Sequence, residues 1–218
     1  MTLAMTSLSG LAQAPVTASP QSPQVVVVLA GGGAKGFAHL GAVLALNEMG
    51  VEIDFLGGTS AGALYGITTS FCDFDPEKIR YYANDSASHK LTRNDFTFPI
   101  LSIMSGKKMI NYLKKMMGET HLEDFWVTSY CVSTNFSNAS TRIHDSGVAW
   151  KQIAASIAIP GIYPPVVIDH QLHVDGGVVD NLPIETMYNY PVRHIIAISL
   201  TQLRSQPVKF EDIPSAGT

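Results

Sequence analysis

A chain of 218 residues, 46% hydrophobic and only 15% charged, is long enough to close one substantial core, and halving it would leave two thin ones. Its net charge of −4 offers no polycationic surface of the kind nucleic acid requires. Two cysteines, Cys72 and Cys131, are too few for a disulfide framework and lack zinc spacing, so both read as small core residues, with one bridge between them as the alternative.

Residues 1–24 are poor in charge and rich in Ser, Thr, Ala, Pro and Gln. They read as a flexible leader, which leaves the protein in the cytoplasm or peripherally on a membrane. Ala12-Gln13-Ala14 has the small-x-small form of a signal-peptidase site, but no Lys or Arg precedes it. The competing reading is therefore the remnant of an export signal, which would place the protein outside the cytoplasm. No run reaches the roughly 18 apolar residues of a membrane-spanning helix.

Ordered structure is expected from Val25 to about residue 204, followed by a polar tail over 205–218. VVVVLA (25–30) is a short β-branched run of the kind buried on both faces of a parallel sheet. GGGAKG (31–36) follows, then a helical pattern in which Leu40, Val43 and Leu44 share a face and Gly50 is the stop. IDFLGG (53–58) is the next buried strand, leading through Ser60 into a helix to about Ser70. Asp75-Pro76-Glu77 starts another helix, with Asp as cap and Pro in the first turn. LTRNDFTFPI (91–100) is irregular, and a helix spans Lys107 to Met117, ended by Gly118. Two strands around Ser137-Asn138-Ala139, a helix over 149–158, a hairpin turning at Asp169-His170 and a last strand, HIIAISL (194–200), complete the series. Strands alternating with helices imply a layered α/β plan.

Gly58, Ser60 and Gly62 form G-x-S-x-G, the pattern of a nucleophilic serine on a sharp strand-to-helix turn, where side chains at the flanking positions would not fit. The helix beginning after Ser60 points its free N–H groups at the place where negative charge would develop. GGGAKG, a glycine run between a buried strand and a helix, presents a second set of backbone donors. It lacks the Gly-Lys-Ser/Thr of a P-loop and a convincing acidic ribose partner, so an oxyanion fits it better than a nucleotide phosphate. Lys35 either supports this loop or meets a substrate phosphate.

A serine nucleophile needs a base. The order Ser60, Asp175, His194 matches that of α/β-hydrolase triads, but His194 runs straight into a strand with no loop to aim it. His39 reads as a packed or capping residue, and His89, His121, His144, His170 and His173 as surface residues. Asp175 closes an alternating apolar segment and is followed by Gly176 and Gly177. Alone it reads as an ordinary D-G-G turn; beside a serine it can be the base.

Taken together and in this order, these blocks resemble the patatin-like phospholipases, most closely the neuropathy-target-esterase branch and its bacterial relatives. GGGAKGFAHLGAVLALNEMGV matches the oxyanion-loop block, GGTSAGA the nucleophile block and DGG at 175–177 the aspartate block. ASIAIPGIYPPV (155–166) and DFTFPILSIMSGKKM are similar to further segments of that branch. The resemblance implies a three-layer α/β/α sandwich with a mostly parallel central sheet. It also implies a Ser60–Asp175 dyad without histidine, an oxyanion hole lined by Gly31, Gly32 and Gly33, and support from Ala34, Lys35, Gly36, Gly58, Gly62, Gly176 and Gly177. The implied reaction is hydrolysis of phospholipid or lysophospholipid esters through an acyl-enzyme, with no metal or other cofactor. Lys35 stands where the family more often carries Arg, which keeps the charge but loses the bidentate fork.

Access to lipid implies contact with a membrane surface. In GKKMINYLKKMMG, Ile110, Leu113 and Met117 fall on one side, with Lys107, Lys108, Lys114 and Lys115 on another. That pattern reads first as a core-facing helix with a solvated basic edge, with an interfacial helix as the alternative.

Overall fold

The computed structural model describes residues 25–88, 95–97, 102–190 and 192–201. The leader over 1–24, the tail over 205–218, His89 and most of the irregular 91–100 segment lie outside them. The described strands are β1 (Val25–Leu29), β2 (Phe55–Thr59), β3 (Thr128–Asn135), β4 (Ser140–His144), β5 (Val166–Ile168), β6 (Gln171–Asp175) and β7 (His194–Ile198). The helices are α1 (Phe37–Glu48), α2 (Ala61–Phe71), α3 (Pro76–Ser88), α4 (Lys107–Met117) and α5 (Ala149–Ser156). All seven strands join one sheet, in the order β5-β6-β3-β2-β1-β7, with β4 added to β3. Pairing is parallel from β7 through β1 and β2 to β3, and antiparallel from β3 to β4, β6 and β5.

Strand periodicity sorts the core into two faces. Val27 and Leu29 of β1 join Leu56, Val43 and Ile53 on the face that α1 covers. On the same side Cys131 meets Ala63, Ile67, Leu113, Met117 and Ile153 of α2, α4 and α5. Val26 and Val28 point the other way, toward Phe55, Tyr130, Val132 and Met187. That second face is covered by a 3-10 turn, Glu185–Asn189, and the chain around it. The expected sandwich thus has a thick helical layer and a thin one among the described residues.

β3 acts as a ruler for the site. β4 pairs with Cys131–Asn135, so it must occupy the opposite edge from both β2, which pairs with Thr128–Val132, and β6, which pairs with Ser133–Asn135. β2 and β6 therefore lie end to end along one edge. β2 runs up to Thr59 opposite Val132, and β6 runs down to Asp175 opposite Ser133. The position Ser60 would take if β2 continued is held by Asp175, so the two residues meet where the strands stop.

Local signals account for most boundaries. Asp75 Oδ1 accepts from the N–H groups of Glu77 and Lys78 at 2.9 and 3.3 Å, capping α3. Gly118 ends α4 in a positive-φ conformation, and Asp169 and His170 (φ 51 and 62) form the tight turn between β5 and β6. Cys72 and Cys131 are buried free thiols. Two of the expected surface histidines are corrected: His144 and His173 are buried, and both ring nitrogens facing Ser133 Oγ lie within hydrogen-bond distance, at 2.7 and 2.8 Å. His144 lies between Ile143 and Asp145 and His173 between Leu172 and Val174, and the pleat of β4 and β6 turns both rings inward. Among the described residues no helix is long and apolar enough to cross a membrane.

Candidate active site

The turn after β2 forms because nothing but glycine fits around it. A Cβ at Gly58 or Gly62 would collide with the Leu29 carbonyl, and one at Gly57 with Tyr130. With the backbone drawn in this tightly, Ser60 adopts φ 53, ψ −116, a conformation that non-glycine residues rarely take. Its N–H donates to Ser156 Oγ at 2.9 Å, and that hydroxyl donates to the Val132 carbonyl at 2.6 Å. The strained residue is thereby tied to both α5 and β3.

Ser60 Oγ donates to Asp175 Oδ2 at 2.6 Å, across 115 residues of sequence. The carboxylate's other oxygen accepts from Gly177 N–H at 2.7 Å. The Asp175 backbone is fixed on both sides, its N–H donating to the Ala158 carbonyl at 2.9 Å and its carbonyl accepting from Thr134 Oγ1 at 3.0 Å. Ser60 and Asp175 are 8% and 5% exposed. Burial pushes the Asp175 carboxyl above its ordinary range, opposed by the bonds from Ser60 and Gly177. A carboxylate made more basic by desolvation, yet held in place by two donors, suits proton abstraction from the hydroxyl it touches.

The glycine loop divides by role. Gly31 N–H donates to the Asn181 carbonyl at 2.9 Å, and Asn181 Nδ2 donates back to the Gly31 carbonyl at 3.3 Å. Of the three glycines expected to line an oxyanion hole, Gly31 therefore has its N–H already engaged. A Cβ there would strike the Asn181 side chain and come within 3.2 Å of Ser60 Cβ. Gly32 lies against Leu200, and Gly33 takes φ 56. Neither N–H is bonded to another described backbone group. His39, buried in α1, donates from Nε2 to the Ala30 carbonyl at 2.8 Å and so braces the peptide from which the loop departs. Burial pushes its pKa down, which keeps it neutral.

Beside Ser60 opens a cavity of about 340 Å³. Its walls are almost wholly apolar, among them Ala34, Leu64, Met104, Met109, Ile157 and Ile162. Lys35 is exposed on the 3-10 turn Gly33–Gly36, while Gly36 is buried against Ala61 and Tyr65. Gly176 packs on the Val132 carbonyl.

His194 is not part of this arrangement. It pairs with Val25 at the start of β1, whereas Leu29 at the other end pairs with Gly58. Four strand steps of ~3.3 Å put it ~13 Å from the serine end of the sheet. Three contributors have no signal in the sequence motifs. Asn181 and Ser156 act through long-range bonds, and Ser133 is the residue opposite Asp175 in the β3–β6 ladder. Ser156 falls in the ASIAIPGIYPPV block that carries part of the resemblance, but nothing in that block singles out its hydroxyl.

A mixed α/β sheet with a serine elbow, a hydrogen-bonded aspartate and a glycine loop whose Gly32 and Gly33 N–H groups have no described backbone partner is an arrangement suited to acyl transfer. The patatin-like phospholipase family matches residues 27–188, and the chain belongs to it. Its relatives include lysophospholipase NTE1 of Meyerozyma guilliermondii, 34% identical over 193 residues, covering 86% of this chain and 13% of that protein. Lysophospholipase NTE1 of Saccharomyces cerevisiae is 36% identical over 177 residues, covering 80% of this chain and 10% of that protein. The chain thus spans about a tenth of these relatives. Among solved structures, VipD from Legionella pneumophila is similar with a TM-score of 0.44 at 16% identity, over 75% of this chain and 47% of that one.

Proposed function

We propose that this chain hydrolyses carboxylic esters of phospholipids or lysophospholipids through an acyl-enzyme formed on Ser60, with Asp175 as the base. The observation that carries the reading is the 2.6 Å bond from Ser60 Oγ to Asp175 Oδ2 at the wall of an apolar cavity. Membership of the family and the printed activity of the NTE1 relatives support the substrate class.

With an ester carbonyl against Ser60, Asp175 takes the hydroxyl proton as Oγ attacks. The tetrahedral oxyanion is met by the N–H groups of Gly32 and Gly33 and by the N-terminal end of α2, while Gly31 holds the loop through Asn181. Collapse expels the alcohol, which receives the proton from Asp175. Water, activated by the same carboxylate, then releases the fatty acid. Because Asp175 must be ionised and its pKa is raised, kcat/KM falls on the acid side, with its half-point above the ordinary carboxylate range.

Ser60→Ala and Asp175→Asn should each lower hydrolysis of a short p-nitrophenyl ester by ~10³-fold or more, while His194→Ala leaves it unchanged. Covalent labelling by a fluorophosphonate should occur in the wild type and vanish in Ser60→Ala. A folded wild-type protein that neither labels nor turns over any ester would instead be a lipid-binding module, and the hydrolase reading would be abandoned.

A further inference from the structure

The cavity beside Ser60 does not end in a continuous wall. Two smaller apolar voids adjoin it, of about 20 and 30 Å³. The first lies between α4 and α5 and shares Met109, Ile157 and Tyr163 with the Ser60 cavity. The second lies among α2, α3 and α4 and shares Leu64, Tyr65 and Met109 with it. Met109, in the first turn of α4, is the one residue that lines all three. Each void has room for about one water-sized group, enough for a thioether to shift into and too little for a hydrocarbon chain.

Resting on the hydrolase reading above, we propose that Met109 sets the acyl-chain length this site accepts. The acyl chain of the bound ester lies in the Ser60 cavity with its carbonyl at the serine and its far end against the Met109 side chain. An unbranched thioether is an adaptable stop, since it can retreat into either void by changing rotamer. Chains that fit in front of it bury every methylene. Longer chains must displace it or leave their ends outside, and gain nothing further. Shortening the side chain to alanine removes three atoms from the one residue common to the cavity and both voids and so lengthens the space before the stop, whereas an aromatic ring fills the junction.

The test is kcat/KM across saturated p-nitrophenyl esters, from acetyl to palmitoyl, for wild type, Met109→Ala and Met109→Phe. Before the stop is reached, each added methylene should raise kcat/KM about fourfold, equivalent to ~0.8 kcal/mol of burial. The rise should break off at one length in the wild type, at a longer one in Met109→Ala and at a shorter one in Met109→Phe. Fluorophosphonate labelling counts active protein in each sample, so a loss of folded enzyme does not imitate a shift in length. A break at the same length in all three proteins, with each hydrolysing the short esters, overturns the role of Met109 and leaves the hydrolase reading intact. Absence of turnover on every ester by a folded wild type that also fails to label overturns both.

Discussion

Ser60 carries a side chain at φ 53, ψ −116, where a residue with a Cβ is strained by ~1–3 kcal/mol. Glycine adopts that conformation freely, at an entropic cost of ~0.5–1 kcal/mol on folding. Ser60→Gly should therefore be more stable than Ser60→Ala by about 1 kcal/mol, some 2–4 °C in Tm for a chain of this size. Both variants lack the hydroxyl, so thermal melts of the pair isolate the strain from the lost hydrogen bond. Asp175 opposes stability in a different way. Its native pKa is raised by burial, so the native state binds the proton more tightly than the unfolded chain. Its contribution is fully present below the unfolded carboxyl value and is lost as pH rises through the native one. Asp175→Asn should accordingly raise Tm at neutral pH, with the gain shrinking as the pH is lowered toward the unfolded value. An equal or lower Tm for this variant at pH 7 would contradict that account.

Among the elements, α4 presents Leu113 and Met117 to the core while Lys107, Lys108, Lys114 and Lys115 are exposed. The core-facing reading of this helix accounts for its packing, and on its basic edge Lys114 Nζ sits over the Trp150 ring, 4.4 Å from the centroid. Charge reversal at the four lysines should lower activity on anionic vesicles several-fold while a soluble ester is turned over as before; equal losses on both substrates would rule the edge out. The local devices were legible in the sequence. Asp75 as a cap, the glycine stops, the Asp169-His170 turn and the serine elbow each rest on residues near one another in the chain. What was not legible is nonlocal. No spacing reveals that β2 and β6 share an edge of β3, that Asn181 engages the Gly31 peptide, or that Ser156 holds the Ser60 N–H. The aspartate could be paired with the serine in advance by resemblance alone, because D-G-G by itself is an ordinary turn.

For the molecule as a whole, the buried Ser133–His144–His173 group sets a limit on the acid side. Burial holds the His144 pKa down to about 3, helped by His173 and Arg142, and pushes the His173 pKa down as well. Between the ordinary histidine value and these lowered ones the unfolded chain binds more protons, so stability falls as pH decreases, by up to ~1.4 kcal/mol per pH unit for each imidazole. Urea unfolding at pH 7 and pH 5 should show this loss. A double variant, His144→Gln with His173→Asn, keeps a polar atom near each bonded nitrogen but does not titrate, and should flatten the dependence. The end-to-end meeting of β2 and β6 has a further consequence. Because the spacing between serine and aspartate is set by the register on β3 and braced from α5 through Ser156 and Ala158, the number of residues in a distant turn has no bearing on it. Extra residues spliced into the β3–β4 turn at Ser137–Ala139, well away from the strand ends that meet, would lengthen the path from Ser60 to Asp175 without moving either side chain. The site tolerates growth of the polypeptide because its geometry is counted in hydrogen-bond rungs, not in residues.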